Sequence, residues 1–157
     1  MHIWSMRSST IKFALVLVLS VAALTSLIIL VPSASSAASS SAVSYTDIKT
    51  DSDRIAFISG FGWTVDPKPV EEVEMKIPDE FDSVFEEYNK VQLSQGLSLE
   101  KYKGKEVVRY TYNVTNFKDY DGAVYINLLV YKNKIVGGDV SSADGKGFVY
   151  GFSGNVA

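Results

Sequence analysis

The chain contains no cysteine. That excludes disulfides, thiolate metal sites, a thiol nucleophile and a lipid-bearing cysteine. Histidine is nearly as scarce. The single copy, His2, precedes a long apolar run, so the part beyond that run cannot build a histidine-based triad or a His/Cys zinc site. Positive charge is sparse as well. Arg7 and Lys12 are the only charged residues among the first 42, so the other thirteen basic residues stand against all eighteen acidic ones, a balance of −5 for residues 43–157. An acidic body is a poor match for a phosphate backbone, and no nucleic-acid partner is expected. Carboxylate, serine, lysine and tyrosine are left to carry any catalysis, and no cofactor is expected.

What the sequence does have is one long apolar run. Phe13 to Val31 is nineteen residues without a charge. As a helix at about 1.5 Å per residue it would measure about 28 Å, close to the hydrocarbon thickness of a bilayer. Arg7 and Lys12 precede it and no charge closely follows, which sets residues 1–12 in the cytoplasm and the rest outside. The expectation is a single-pass membrane anchor, with a cleaved signal peptide as the alternative, because Ser35-Ser36-Ala37 is an acceptable cleavage site. Cleavage would release a secreted protein. Residues 32–45, rich in Ser and Ala, read as a flexible linker, and 46–157 as one extracytoplasmic domain.

Within that domain the hydrophobic period changes several times. Thr50 and Asp51 suit a helix start, Ile55, Ile58 and Phe61 form a short stripe, and Gly62 stops it. Trp63 to Val65 reads as a short strand, and Val73, Met75 and Ile77 alternate with Glu72, Glu74 and Lys76 as a longer one. Asp79 is placed to cap a second helix, whose stripe is Phe81, Val84, Phe85, Tyr88 and Val91 and whose stop is Gly96. Strands are expected over 106–114, 124–131, 135–140 and 147–152, joined by short links that force antiparallel neighbours. The fold class is therefore α+β: an N-terminal transmembrane or signal helix, then two helices packed on one face of an antiparallel β-meander.

The residues expected to face away from those helices are Arg109, Tyr125, Asn127, Tyr131 and Asp139. Tyrosine with Arg and Asn supplies ring area and hydrogen-bonding tips, so these five are the candidate binding surface. The competing reading is a structural sheet face covered by the first helix or by loops. Nine carboxylates between Asp66 and Glu87 read as a solvated face rather than a catalytic pair, since Glu86 and Glu87 point about 100° apart on a helix. Asp119-Tyr120-Asp121-Gly122 reads as a turn, its glycine falling too early for a calcium loop. Lys101, Lys103, Lys105 and Arg109 form a basic run read as a solvated connector, with anionic polymer or lipid headgroups as the alternative partner.

Several local motifs together resemble a bacterial family described as domain of unknown function 4830. They are Phe61-Gly62-Trp63, Ile77-Pro78 with Phe81, Tyr88-Asn89 with Gln92 and Gly96, Leu99, Tyr102-Lys103-Gly104-Lys105, and Arg109-Tyr110-Thr111-Tyr112. Asn116 before an aromatic, Leu128-Leu129-Val130-Tyr131, Gly137-Gly138-Asp139-Val140 and Gly147-Phe148 complete the set. The resemblance runs from Asp53 to Phe152 and implies an exported or membrane-anchored protein of a Gram-positive bacterium. It brings no activity, cofactor or catalytic residue. Some members have a cysteine after the Gly-Gly-Asp-Val run; Ser141 and Ser142 stand there, so no thiol role carries over.

Three functions are open on the sequence alone. The first is a non-enzymatic module outside the membrane that binds protein, peptide or envelope polymer. The others are a small carboxylate-dependent cell-wall hydrolase and an accessory subunit of another membrane protein.

Overall fold

Helix α1 (Asp51–Ser59) begins at Thr50, whose hydroxyl accepts a hydrogen bond from the Asp53 backbone N–H while the Asp53 carboxylate accepts from the Thr50 N–H. This reciprocal cap satisfies two of the donors that a helix start leaves open. Helix α2 (Ser83–Ser94) is capped by Asp82, which accepts from Phe85 N at 2.8 Å. Asp79, the expected cap, instead pairs with Lys76 at 2.7 Å. A turn of 3-10 helix (Leu99–Tyr102) follows, and Gly104 turns the chain at φ +74°.

The computed structural model describes residues 42–144 and 147–154. The expected n-region 1–12, the apolar span 13–31 and residues 32–41 of the expected linker lie outside them. No helix among the described residues is long and apolar enough to cross a membrane.

Five strands form one antiparallel sheet in sequence order: β1 (Glu71–Lys76), β2 (Glu106–Asn113), β3 (Val124–Tyr131), β4 (Lys134–Ser142) and β5 (Val149–Tyr150). The β3–β4 link turns through Lys132 and Asn133, both with positive φ, as a tight two-residue hairpin requires. Trp63–Val65 is not a strand of this sheet; Val65 makes a single bridge to Val114. Along β4 the register slips between Leu129 and Val130, which pair with Gly137 and Ile135, so Val136 is the extra residue of a β-bulge.

Strand alternation divides the core into two. On one face α1 lays Phe57 and Ile58 over Tyr112, Ile126, Leu128, Val140 and Phe152. On the other, Phe81, Phe85 and Tyr88 cover Val107, Leu129 and Val136. The helices therefore sit on opposite faces of the sheet, not together on one. The reason is visible in β3, where Leu128, Leu129 and Val130 are all buried. A strand apolar on consecutive positions needs cover from both sides. Each fully buried side chain of this size contributes about 1.5–3 kcal/mol, which neither short helix could gain on its own.

Two further features hold the α1 side. Arg54 is buried, donates from Nε to Tyr112 Oη at 2.8 Å and from Nη2 to Asp51 at 2.7 Å, and lies 3.8 Å above the Tyr110 ring. Beside β5, the rings of Trp63, Phe117, Phe148 and Tyr150 stack in succession with interplanar angles of 14°, 12° and 9°. That stack closes the end of the sheet where β5 is too short to do so.

Candidate functional site

On the α2 side, β1 to β4 and the helix enclose a pocket of about 150 Å³ lined by Met75, Phe85, Tyr88, Arg109, Asn127, Leu129 and Asp139. Its polar groups come from distant parts of the chain. Register sets Arg109 opposite Leu129, and Asn127 between Thr111 and Asp139 on adjacent strands, so all their side chains leave the same face. Tyr88, one turn along α2 from Phe85, reaches down and donates to Asp139 Oδ1 at 2.7 Å. Asn127 Nδ2 donates to Asp139 Oδ2 at 3.0 Å, and Thr111 Oγ1 donates to Asn127 Oδ1 at 2.7 Å.

The floor and the rim differ in character. Asp139 is only 5 % exposed, yet both its carboxylate oxygens are occupied by donors. Burial, together with the negative charge of Asp139 and the hydrogen bond to it, pushes the Tyr88 hydroxyl well above its ordinary pKa of 10. Tyr88 thus stays a neutral donor that pins α2 to the sheet. Among the described residues Asp139 is the one carboxylate lining the pocket, whereas glycosidic acid–base chemistry uses two. At the rim, Arg109 Nη2 pairs with Glu71 at 2.6 Å, both side chains being partly exposed. Arg109 Nε is buried and meets no acceptor among the described residues. Such a donor costs about 1–3 kcal/mol until an acceptor reaches it.

The rim leads to the outer edge of β1. The side chains of Glu71, Glu72, Glu74 and Lys76 are exposed, Val73 and Met75 are half-buried, and no strand among the described residues pairs along the far side.

Arg109, Asn127 and Asp139 are thus brought together, but under α2 and not on a bare face. Tyr125 and Tyr131 share their side of the sheet at opposite ends of β3, about 20 Å apart. Tyr131 packs edge-on against Tyr102 at 5.6 Å, with Lys132 Nζ 5.3 Å from its ring centre, and Tyr125 lies half-buried between Asn113 and Ser141. Sequence reasoning missed Tyr88 as a polar member, reading it only as part of an apolar stripe, and took Glu71 for part of a solvated acidic face. Nothing local to either residue reports a partner 51 or 38 positions away. Among the described residues, no group of three or more His, Cys, Asp or Glu could hold a metal ion. In the Asp119–Gly122 turn, Asp119 has positive φ and Tyr120 donates to Asp144 at 2.8 Å.

A family model described as Domain of unknown function (DUF4830) matches residues 57–140, more than half of the chain and narrower at both ends than the span of shared motifs. No curated protein and no solved structure matches. The chain belongs to the DUF4830 family, whose description assigns no activity.

Proposed function

We propose that this DUF4830 domain is a non-enzymatic binding module that takes a protein or peptide partner on the β1 side of its sheet. In this reading residues 13–31 hold it outside a bacterial cytoplasmic membrane. The observation that carries the binding reading is the open β1 edge: six residues long, with nothing paired along its outer side among the described residues. Edges of that length invite an added strand unless they are managed. The neighbouring pocket supports the same reading. At about 150 Å³ it is below the usual ~300–1,000 Å³ of small-molecule sites and suits one inserted side chain. Its free Arg109 Nε would welcome an acceptor from a partner.

The test is photo-crosslinking in intact cells of the source bacterium, with the full-length chain carrying the reactive residue at position 74 or, as a control, at 118 in the β2–β3 connector. A discrete adduct from 74 that is absent from 118 supports the reading. Equal labelling from both, or none from 74, overturns it. Location is tested separately by mass. Mature protein in the medium beginning near Ala38 ends the tether and leaves the binding reading in place.

A further inference from the structure

We infer that the β1 edge is completed by an extended segment of a partner protein bearing Lys or Arg at alternate positions with apolar residues between them. This rests on the binding reading above and supplies the chemistry of the partner. The sheet has two edges, and they are not equivalent. β5 is two residues long, whereas β1 spans six, about 20 Å of strand. Among the described residues only β1 offers a ladder long enough to hold another chain.

The side chains of β1 define what that chain should carry. Glu72 and Glu74 leave the face that bears α1, and Val73 and Met75 leave the face that bears α2. In an added strand, residues directly across lie about 4.5–5.5 Å away at Cβ, on the same side of the sheet. The two positions facing Glu72 and Glu74 are therefore two residues apart and point to the same side. Neither glutamate is in an ion pair among the described residues, whereas Glu71 is already held by Arg109. Glu72 has the Tyr110 hydroxyl beside it, a neutral neighbour. The intervening positions meet Val73 and Met75, the latter packed with Phe81 and Phe85. An apolar residue there extends the existing cluster.

A shallow groove of about 700 Å³ continues from Glu74 across the α1-side face, with Val108 and Val130 in its lining and Glu106 as a second carboxylate. The aliphatic stem of a lysine or arginine can lie on such valines with its head at the acids. Lys76, Lys105 and Lys132 line the same groove and repel a cation. Basic heads are thus confined to the Glu72–Glu74 half.

The same charges limit how a second copy could occupy the edge. Antiparallel self-pairing must keep facing side chains on one side of the sheet. Of the two longest registers that do so, one sets Glu72 against Glu74 twice, and like charges directly opposed are destabilising. The other sets Glu74 against Glu74 but Glu72 against Lys76 twice, so charge does not exclude it and the mass of the chain without peptide decides it.

The experiment is backbone amide hydrogen exchange on the full-length chain in mild detergent. Three blocked hexapeptides are added in turn: alternating lysine and valine, the same residues in two blocks, and alternating glutamate and valine. The expected result is exchange over 71–76 slowed about tenfold by the alternating lysine peptide alone, with the effect fading as salt is raised. In the Glu72→Lys/Glu74→Lys variant the preference should invert towards the glutamate peptide. Equal protection by the glutamate peptide, protection confined to other elements, or none overturns the inference, as does a dimer in light scattering without peptide. These wild-type outcomes decide the matter even where the variant fails to fold. An adduct at position 74 whose partner segment lacks the alternation defeats this inference alone, while failure of the crosslink defeats the binding reading itself.

Discussion

At the scale of single residues, tyrosines fasten both helices. Tyr88 ties α2 to Asp139, and Tyr112 receives the Arg54 Nε–H and donates to Asp51 at 2.8 Å. In Tyr88→Phe the Asp139 carboxylate keeps only the Asn127 donor while staying buried. A lost hydrogen bond to a charged group predicts a destabilisation of about 2 kcal/mol, read as a lower urea midpoint with an unchanged slope. The same tyrosines set an alkaline limit. Burial pushes Tyr112 up to about 12 and Tyr88 well above 10, so each keeps its proton where the unfolded chain loses it. Their contribution is complete below pH 10 and is lost as pH rises from there through the folded values, by up to about 1.4 kcal/mol per pH unit for each group. Urea titrations between pH 9 and 11.5 should show stability falling through that window. The decline should be shallower in Tyr112→Phe, which starts from a lower plateau because Arg54 and Asp51 lose a partner.

At the scale of elements, β4 leaves no room for a side chain at one of its glycines. Gly138 has φ +155°, and a Cβ there would run into the Asn127 carbonyl oxygen and sit 2.5 Å from Phe152 Cζ. Gly96, at φ +78°, has nothing within 4 Å of the same point. Gly138→Ala should therefore cost about 3 kcal/mol or more, against about 1–2 for Gly96→Ala, where only the backbone strain applies. Thermal melts of the two variants make the comparison directly. This contrast also marks how far the sequence could be read. Strand alternation and the stop at Gly96 are local signals, and both are present. The inward face of α2 is a different case. Periodicity picks Phe81, Val84, Phe85, Tyr88 and Val91, yet Val84 is 75 % exposed while Asn89 and Gln92 are buried. Asn89 accepts from Leu99 N and Gln92 accepts from Gly138 N, both at 2.9 Å. Backbone donors left open by a turn and by the stretch of β4 that β5 does not reach select amides at these places, and a hydrophobicity pattern carries no trace of that demand. The sidedness of the helices was hidden for a related reason. Leu128-Leu129-Val130 announces that both faces of β3 need cover, but which helix goes where depends on chain crossings and not on period.

At the scale of the molecule, the sheet must protect its one long edge while remaining available to a partner. A proline or a covering helix would close β1 to every chain, its own copies included. Glutamate on alternate positions narrows what can pair there, because the edge repels itself in the register that sets Glu72 against Glu74 and attracts a strand of the opposite sign. Removing that charge should therefore expose the underlying tendency of a strand this long. In Glu72→Thr/Glu74→Thr the backbone and the apolar side are unchanged, threonine favours the strand, and no like charges oppose in either of the two longest self-pairings. The variant should self-associate with rising concentration, seen as a mass above one chain in light scattering, whereas the parent stays monomeric under the same conditions. Because the tyrosine fastenings lie inside the sheet, its melting temperature at high dilution should match that of the parent. A variant that remains monomeric at every concentration would mean that something other than the glutamates guards the edge.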